Sequence, residues 1–173
     1  LSLKTISLKD FTEELSSIIR LLAADKQLEL KTTINEPLPR LVEIDGTRLR
    51  QILWNILFNA VKFTQKGHVS LTVSSTKPDG DKAYVTFVIE DTGVGIPESE
   101  IDKIFAMYYQ VDHPDHQSAT GTGIGLAICK QMVDLMKGEI HVSSKVGKGT
   151  RFEIVLPVQI SNSPMKVAQL QVT

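Results

Sequence analysis

The chain has 173 residues, about one ordinary domain, with 42% hydrophobic and 23% charged residues, a balance that excludes disordered and membrane-embedded classes. Lysine plus arginine total 19 against 20 for aspartate plus glutamate, a net charge of −1. No bulk basic field for nucleic acid exists, so nucleic acid is not an expected partner and any anion must be held by local geometry. The one cysteine, Cys129, excludes an internal disulfide framework and fits a reducing, cytoplasmic setting. No window approaches the ~20 apolar residues of a membrane span, so no membrane contact is expected of this chain. It begins at Leu1 without a signal segment and reads as a piece of a longer protein.

In chain order, residues 7–25 predict an amphipathic helix with Asp10 as N-cap, because Phe11, Leu15, Ile18, Ile19 and Leu22 recur at helical spacing. Leu28 to Ile34 alternates as a strand, and the two prolines of Asn35 to Arg40 mark a loop. Asp45 caps a second helix to about Thr64, with Leu49, Ile52, Leu53, Ile56, Leu57, Ala60 and Val61 as its apolar face. After Gly67, Val69–Val73 and Tyr84–Ile89 form a hairpin around the turn Lys77 to Gly80. From Asp91 to Gly125 the pattern lapses, apart from a short helix after Pro97. A loop of that length in a compact domain usually carries function. Ile124 to Met136 is a third helix, Glu139–Ser144 and Thr150–Leu156 a second hairpin, and residues 159–173 a polar linker. The expected fold is an α/β two-layer sandwich, three helices on one face of a mixed five-stranded sheet.

Three stretches carry candidate chemistry. On the second helix, Gln51, Asn55, Asn59 and Lys62 form a polar stripe opposite the apolar face. Asparagine disfavours helix interiors, so this is either a solvated face or a set of carboxamides with a task, such as a hard oxygen for Mg²⁺ beside a phosphate-binding lysine. Asp91-Thr92-Gly93-Val94-Gly95-Ile96-Pro97 follows a strand; it is either a simple exit from the sheet or a carboxylate aimed at a ligand that the glycine backbone approaches. Thr120-Gly121-Thr122-Gly123-Ile124-Gly125-Leu126 runs into the third helix, as a hinge or as a phosphate cradle at a helix N-terminus. Its spacing is neither the dinucleotide nor the Walker pattern. His113 and His116 with Asp112 offer a minor metal candidate, while His68 and His141 read as strand-edge residues and Cys129 with Met132 as core.

Taken in order, Asn55 to Asn59, Asp91 to Gly95, Gly121 to Leu126 and Gly147 to Thr150 resemble the ATP-binding catalytic domain of two-component sensor histidine kinases. The stretch Asp45 to Thr64 is similar to that family's N-box. Ile104 to Val111 most resembles hybrid kinases of the anoxic redox control type. The likeness covers roughly residues 8–158, within an expected domain at 1–158 of which 1–8 would end a connection from an upstream helical hairpin. It implies ATP and Mg²⁺ as cofactors, with Asn59 as metal ligand, Asn55 beside it and Lys62 near the phosphates. It also implies that Asp91 accepts from adenine, with Gly93, Gly95 and Ile96 shaping the base pocket and Thr150 helping to hold the base. Phe105 would pack a long ATP lid and Tyr109 lie against the nucleotide. Thr120, Gly121, Thr122, Gly123, Ile124, Gly125 and Leu126 would follow the phosphates.

Two departures and one absence refine this. Gln110 stands where many relatives carry arginine, which leaves Lys62 and Mg²⁺ to balance the γ-phosphate. ATP-hydrolysing relatives place a glutamate base at the position of Asn55, whose carboxamide takes no proton at neutral pH, so transfer is favoured over hydrolysis. The phosphoacceptor hairpin is absent. The expected function is therefore donation of the γ-phosphoryl group to a histidine on a separate dimerisation hairpin. A receiver domain or response regulator would act downstream, and the parent would be anchored in a bacterial inner membrane. Two alternatives are a nucleotide-binding module without transfer and an ATP-hydrolysing clamp.

Overall fold

Ser7 starts the first helix. Its hydroxyl accepts the backbone N–H of Asp10 at 3.2 Å, so the cap lies three residues before the expected Asp10, which sits in the first turn instead. A serine outside the helix can reach a free N–H of the opening turn, whereas an aspartate inside it can only favour the positive end of the dipole. The computed structural model describes residues 1–111 and 122–162. Helix α1 spans Leu8–Asp25, α2 spans Gly46–Phe63 and α3 spans Gly125–Leu135. A short 3-10 helix, Glu98–Lys103, follows Pro97. The seven apolar residues read as the core face of α2 are all buried.

The strands are β1 (Lys4–Ile6), β2 (Glu29–Ile34), β3 (Val42–Ile44), β4 (His68–Ser75), β5 (Lys82–Asp91), β6 (Glu139–Lys145) and β7 (Gly149–Ile160). They form one sheet in the order β1-β3-β7-β5-β4-β2, with β6 also paired to β7. Only β2 and β4 run parallel, joined through the crossover that contains α2; every other pairing is antiparallel. The mixed sheet and two-layer arrangement agree with the sequence, but the sheet has seven strands, not five. β1 and β3 are three residues each, too short for alternation to register. Pairing of β1 with β3 also places residues 4–6 in the sheet, within the stretch expected to be a connection. β7 continues past the expected boundary at 158, since Val42 pairs with Ile160.

Alternation along β4, β5 and β7 buries Val69, Leu71, Val73, Val85, Phe87, Ile89, Phe152, Ile154 and Leu156 against the helices. β5 follows β7 along one edge from Lys82–Gln159 to Asp91–Thr150. The other edge of β7 pairs first with β6 and then, at its far end, with β3. Pro157 falls in the gap between those pairings, where a missing N–H removes no ladder bond.

Asp45 caps α2 as expected. Its Oδ1 accepts from Arg48 N at 3.1 Å and its Oδ2 from Ser2 N at 2.7 Å. Burial alone would raise its pKa, but those N–H groups and nearby positive charge more than offset it and hold the carboxyl below its ordinary value. Asp45→Ala should therefore cost about 1–2 kcal/mol at neutral pH. Because the folded pKa is depressed, that contribution is present above the unfolded carboxylate range and is lost as pH falls through the folded value. Urea unfolding of both proteins across acid pH should show their stabilities converging at low pH; a constant difference would contradict the capping role.

Candidate functional site

Asp91 is the last residue of β5 and lies in register with Thr150 on β7. Its Oδ1 accepts the N–H of Gly93 at 2.8 Å and that of Thr150 at 3.3 Å. Both bonds fall on one oxygen, and Oδ2 has no partner among the described residues. The carboxylate is half-buried, and burial raises its pKa against the pull of the two N–H groups. A fixed acceptor is thus presented to a cavity of about 290 Å³.

The loop after Asp91 is held from two sides. Val94 N donates to Phe63 O at the end of α2, and Ile96 N donates to Ser144 Oγ at 2.7 Å. Ser144 Oγ in turn donates to Gly149 O at 2.8 Å and lies 2.9 Å from Thr150 Oγ1. Gly95 has a φ of +74°, and a Cβ there would come within 2.2 Å of Lys145 O, so no larger residue lets the loop lie against the β6–β7 turn.

Along one wall of the cavity, α2 contributes Asn59 and Lys62. Lys26, at the end of α1, donates through Nζ to Val61 O and Lys62 O at 2.7 and 2.9 Å, tying down the last turn that carries Lys62. Thr122, Gly123, Gly125 and Leu126 line the cavity where α3 begins, at the positive end of its dipole. Gly123, with φ +66°, accepts the Tyr108 N–H at 2.9 Å, and a Cβ on it would sit 2.7 Å from the Tyr108 carbonyl carbon. Tyr109, Gln110, Gly95, Ile96 and Thr150 also line the cavity.

The remaining candidates are placed otherwise. Gln51 is exposed, and Asn55 faces α3, donating through Nδ2 to Gly125 O at 3.4 Å and Cys129 Sγ at 3.6 Å. Gly93 acts through its N–H on Asp91, and Ile124 stands just before α3; neither is part of the cavity wall. Phe105 packs edge-on against Phe152, a cavity residue, at 6.5 Å between ring centroids. Thr120, Gly121, the lid segment and the His113–His116 metal candidate lie outside the described residues. His68 and His141 are on β4 and β6, and Cys129 is fully buried, as expected of core. Burial pushes its thiol up to about 11, which suits no redox role.

Several cavity residues escaped the sequence reading: Phe58, Phe63, Val94, Ile104 and Phe152, with Ser144 behind them. Phe152 reads as core by its alternation along β7, Phe58 and Phe63 fall outside the apolar face read for α2, and Val94 and Ile104 stand inside the motif stretches without a role of their own. Ser144 carried one signal, its place opposite Thr150 in the β6–β7 register.

Among the described residues no cluster of three histidine, cysteine or acidic side chains could hold a metal alone. A Mg²⁺ ion needs no such cluster, since it usually takes one or two protein oxygens plus phosphates and water, and Asn59 offers one hard oxygen in this cavity. Polar groups are thus spaced around a mostly apolar cavity, beside a sheet that lacks a Rossmann crevice. Residues 44–160 match the family described as histidine kinase-, DNA gyrase B- and HSP90-like ATPase, and the chain belongs to it.

Its relatives include the aerobic respiration control sensor protein ArcB of Escherichia coli, 47% identical over 152 residues and matched across 87% of this chain and 19% of its own length. The sensor histidine kinase RcsC of Escherichia coli is 38% identical across 84% of this chain and 15% of its own length. The chain thus spans less than a fifth of these two relatives. The crystal structure of full-length ShkA in complex with AMPPNP superposes with a TM-score of 0.79 at 32% identity, over 97% of this chain and 34% of that one. Among the described residues no helix is long and apolar enough to cross a membrane.

Asp91→Asn isolates the open oxygen. The amide keeps an Oδ1 for Gly93 and Thr150 but places an NH₂ where Oδ2 stood. The variant should melt within a few degrees of the parent yet lose about 2–4 kcal/mol of nucleotide affinity by calorimetry. Because the Asp91 pKa is raised, parent affinity should begin to fall, as pH is lowered, before the usual carboxylate range is reached, and the variant should show no such dependence. Unchanged affinity in the variant would remove Asp91 from nucleotide recognition.

Proposed function

We propose that this chain binds Mg²⁺-ATP and donates its γ-phosphoryl group to a histidine on a separate helical hairpin of the parent protein. One observation carries the choice of transfer over hydrolysis: among the described residues, Asp91 is the one carboxylate lining the cavity, and two N–H groups fix it beside β7. A water molecule would find no general base there. Phosphoryl transfer asks less of the protein, mainly position and charge stabilisation.

In this reading Asp91 Oδ2 accepts from the adenine amine, and Thr150 and Ile96 border the base. Asn59 supplies an oxygen to Mg²⁺, which neutralises phosphate charge when bound. Lys62 meets the phosphates from α2, and the N–H groups at the start of α3 meet them from the other side. Gln110 adds a neutral donor where a cation would hold the γ-phosphate harder. Tyr109 lies against the nucleotide and Phe105 buttresses that wall through Phe152. The acceptor hairpin belongs to the same parent, a homodimer through that hairpin, with a receiver domain or response regulator downstream. The chain itself works in the cytoplasm beneath a membrane-anchored parent.

Asn59→Ala should weaken binding of a non-hydrolysable ATP analogue at least about tenfold in Mg²⁺ and within about twofold in EDTA, because its loss is felt through the metal. Equal losses in both buffers would show that Asn59 is no ligand.

Incubated alone with labelled ATP and Mg²⁺, the chain should bind nucleotide yet acquire no acid-labile phosphohistidine: among the described residues His68 and His141 sit on strands away from the cavity wall, and the phosphoacceptor is expected on the separate hairpin rather than at His113 or His116. Mixed with the parent's hairpin it should label that histidine slowly, because untethered partners meet at low effective concentration. Fast phosphate release without an acceptor, or strong self-labelling, would overturn the transfer reading.

A further inference from the structure

Asn55 is set apart from Asn59 by where its amide points. One turn before Asn59 on α2, it contributes nothing to the cavity wall and gives both its polar contacts to α3. Nδ2 donates to Gly125 O at 3.4 Å and to Cys129 Sγ at 3.6 Å. The sulfur completes a relay, because its S–H donates to Ile52 O at 3.7 Å, back on α2. The carboxamide also lies over Gly125: a Cβ on that glycine would stand 3.8 Å from Asn55 Cγ and Nδ2.

From this geometry we infer that Asn55 and Cys129 are a pair of positioning residues, a latch that holds the first turn of α3 against α2 and so sets the separation of the cavity's two polar walls. The inference rests on the proposed nucleotide reading of that cavity and gives Asn55 a role other than metal or phosphate contact. Asn59 and Lys62 stand on one wall, Gly123, Gly125 and Leu126 on the other. The Gly125 half of this latch needs a donor at position 55, which a carboxylate base there could not supply.

Two measurements test it. In the first, binding of a non-hydrolysable ATP analogue is measured by calorimetry with Mg²⁺ and with EDTA for the parent chain, Asn55→Ala, Cys129→Val, Cys129→Ser and the Asn55→Ala/Cys129→Val double variant. Asn55→Ala and Cys129→Val should each weaken binding about five- to tenfold, by the same factor in both buffers. Cys129→Ser, which keeps an acceptor and a donor, should stay within about threefold of the parent. Adding Cys129→Val to Asn55→Ala should change little, within about twofold, because the contact is already gone. A loss in Asn55→Ala confined to Mg²⁺ would make Asn55 a metal-side residue and overturn the latch, as would additive losses in the double variant. The second measurement needs no nucleotide. Cys129 is the chain's one thiol, so its S–H stretching band stands alone in the infrared spectrum, and Asn55→Ala should shift it. An unmoved band would overturn the latch. A parent chain that binds no nucleotide would instead refute the proposed function, and the band would still decide the contact.

Discussion

The register of β5 against β7 is the constraint on which the site depends. It brings Asp91 opposite Thr150, so a backbone N–H from one strand meets a carboxylate oxygen from the next. Side chains alternate along a strand, so a slip by one residue would present Arg151 in place of Thr150 and turn the buried face of β7 outward. The apolar run Phe152, Ile154 and Leu156 on that face makes such a slip costly. Core packing and ligand geometry are therefore set by the same pairing. Ser144 joins the arrangement from β6, so three neighbouring strands meet where the loop after Asp91 leaves the sheet.

A half-buried carboxylate at such a place is electrostatically expensive, and the two N–H groups on Oδ1 offset part of that cost without occupying Oδ2. The arrangement is asymmetric: one oxygen of Asp91 belongs to the fold and the other is open to the cavity. Across the cavity the sign is opposite, with Lys62 on α2 and the positive end of α3. A nearly neutral protein thus concentrates positive potential locally without an overall basic field.

Much of this was legible in the residues. The seven buried positions of α2 follow from helical spacing alone, and Asp91, Asn59, Lys62, Gly123 and Gly125 were singled out by chemistry that sits badly with a purely structural role. Other features were not legible for identifiable reasons. β1 and β3 are held by strands distant in sequence, so no local pattern marks them. Phe152 lines the cavity while reading as ordinary core, because an apolar site wall and an apolar interior use the same residues, and Phe58 and Phe63 line it from outside the apolar face read for α2. Asn55 and Asn59 look equivalent at i and i+4, and only the packing of α3 distinguishes a side chain that faces a neighbouring helix from one that faces the cavity.

The placement of β7 has a kinetic consequence. The longest strand of the sheet is also the last element along the described chain, and it lies inside the sheet with partners on both edges. β1, β3 and β5 are made earlier, yet β3 and β5 have no direct contact in the strand order until β7 arrives between them. During synthesis, α1, α2 and the β4–β5 hairpin can associate, but the sheet stays in two parts until the final strand inserts. Contacts of such long sequence separation close slowly. Vectorial emergence from the ribosome would therefore leave this domain waiting on its C-terminal strand, with the inner edges of β3 and β5 open in the interval.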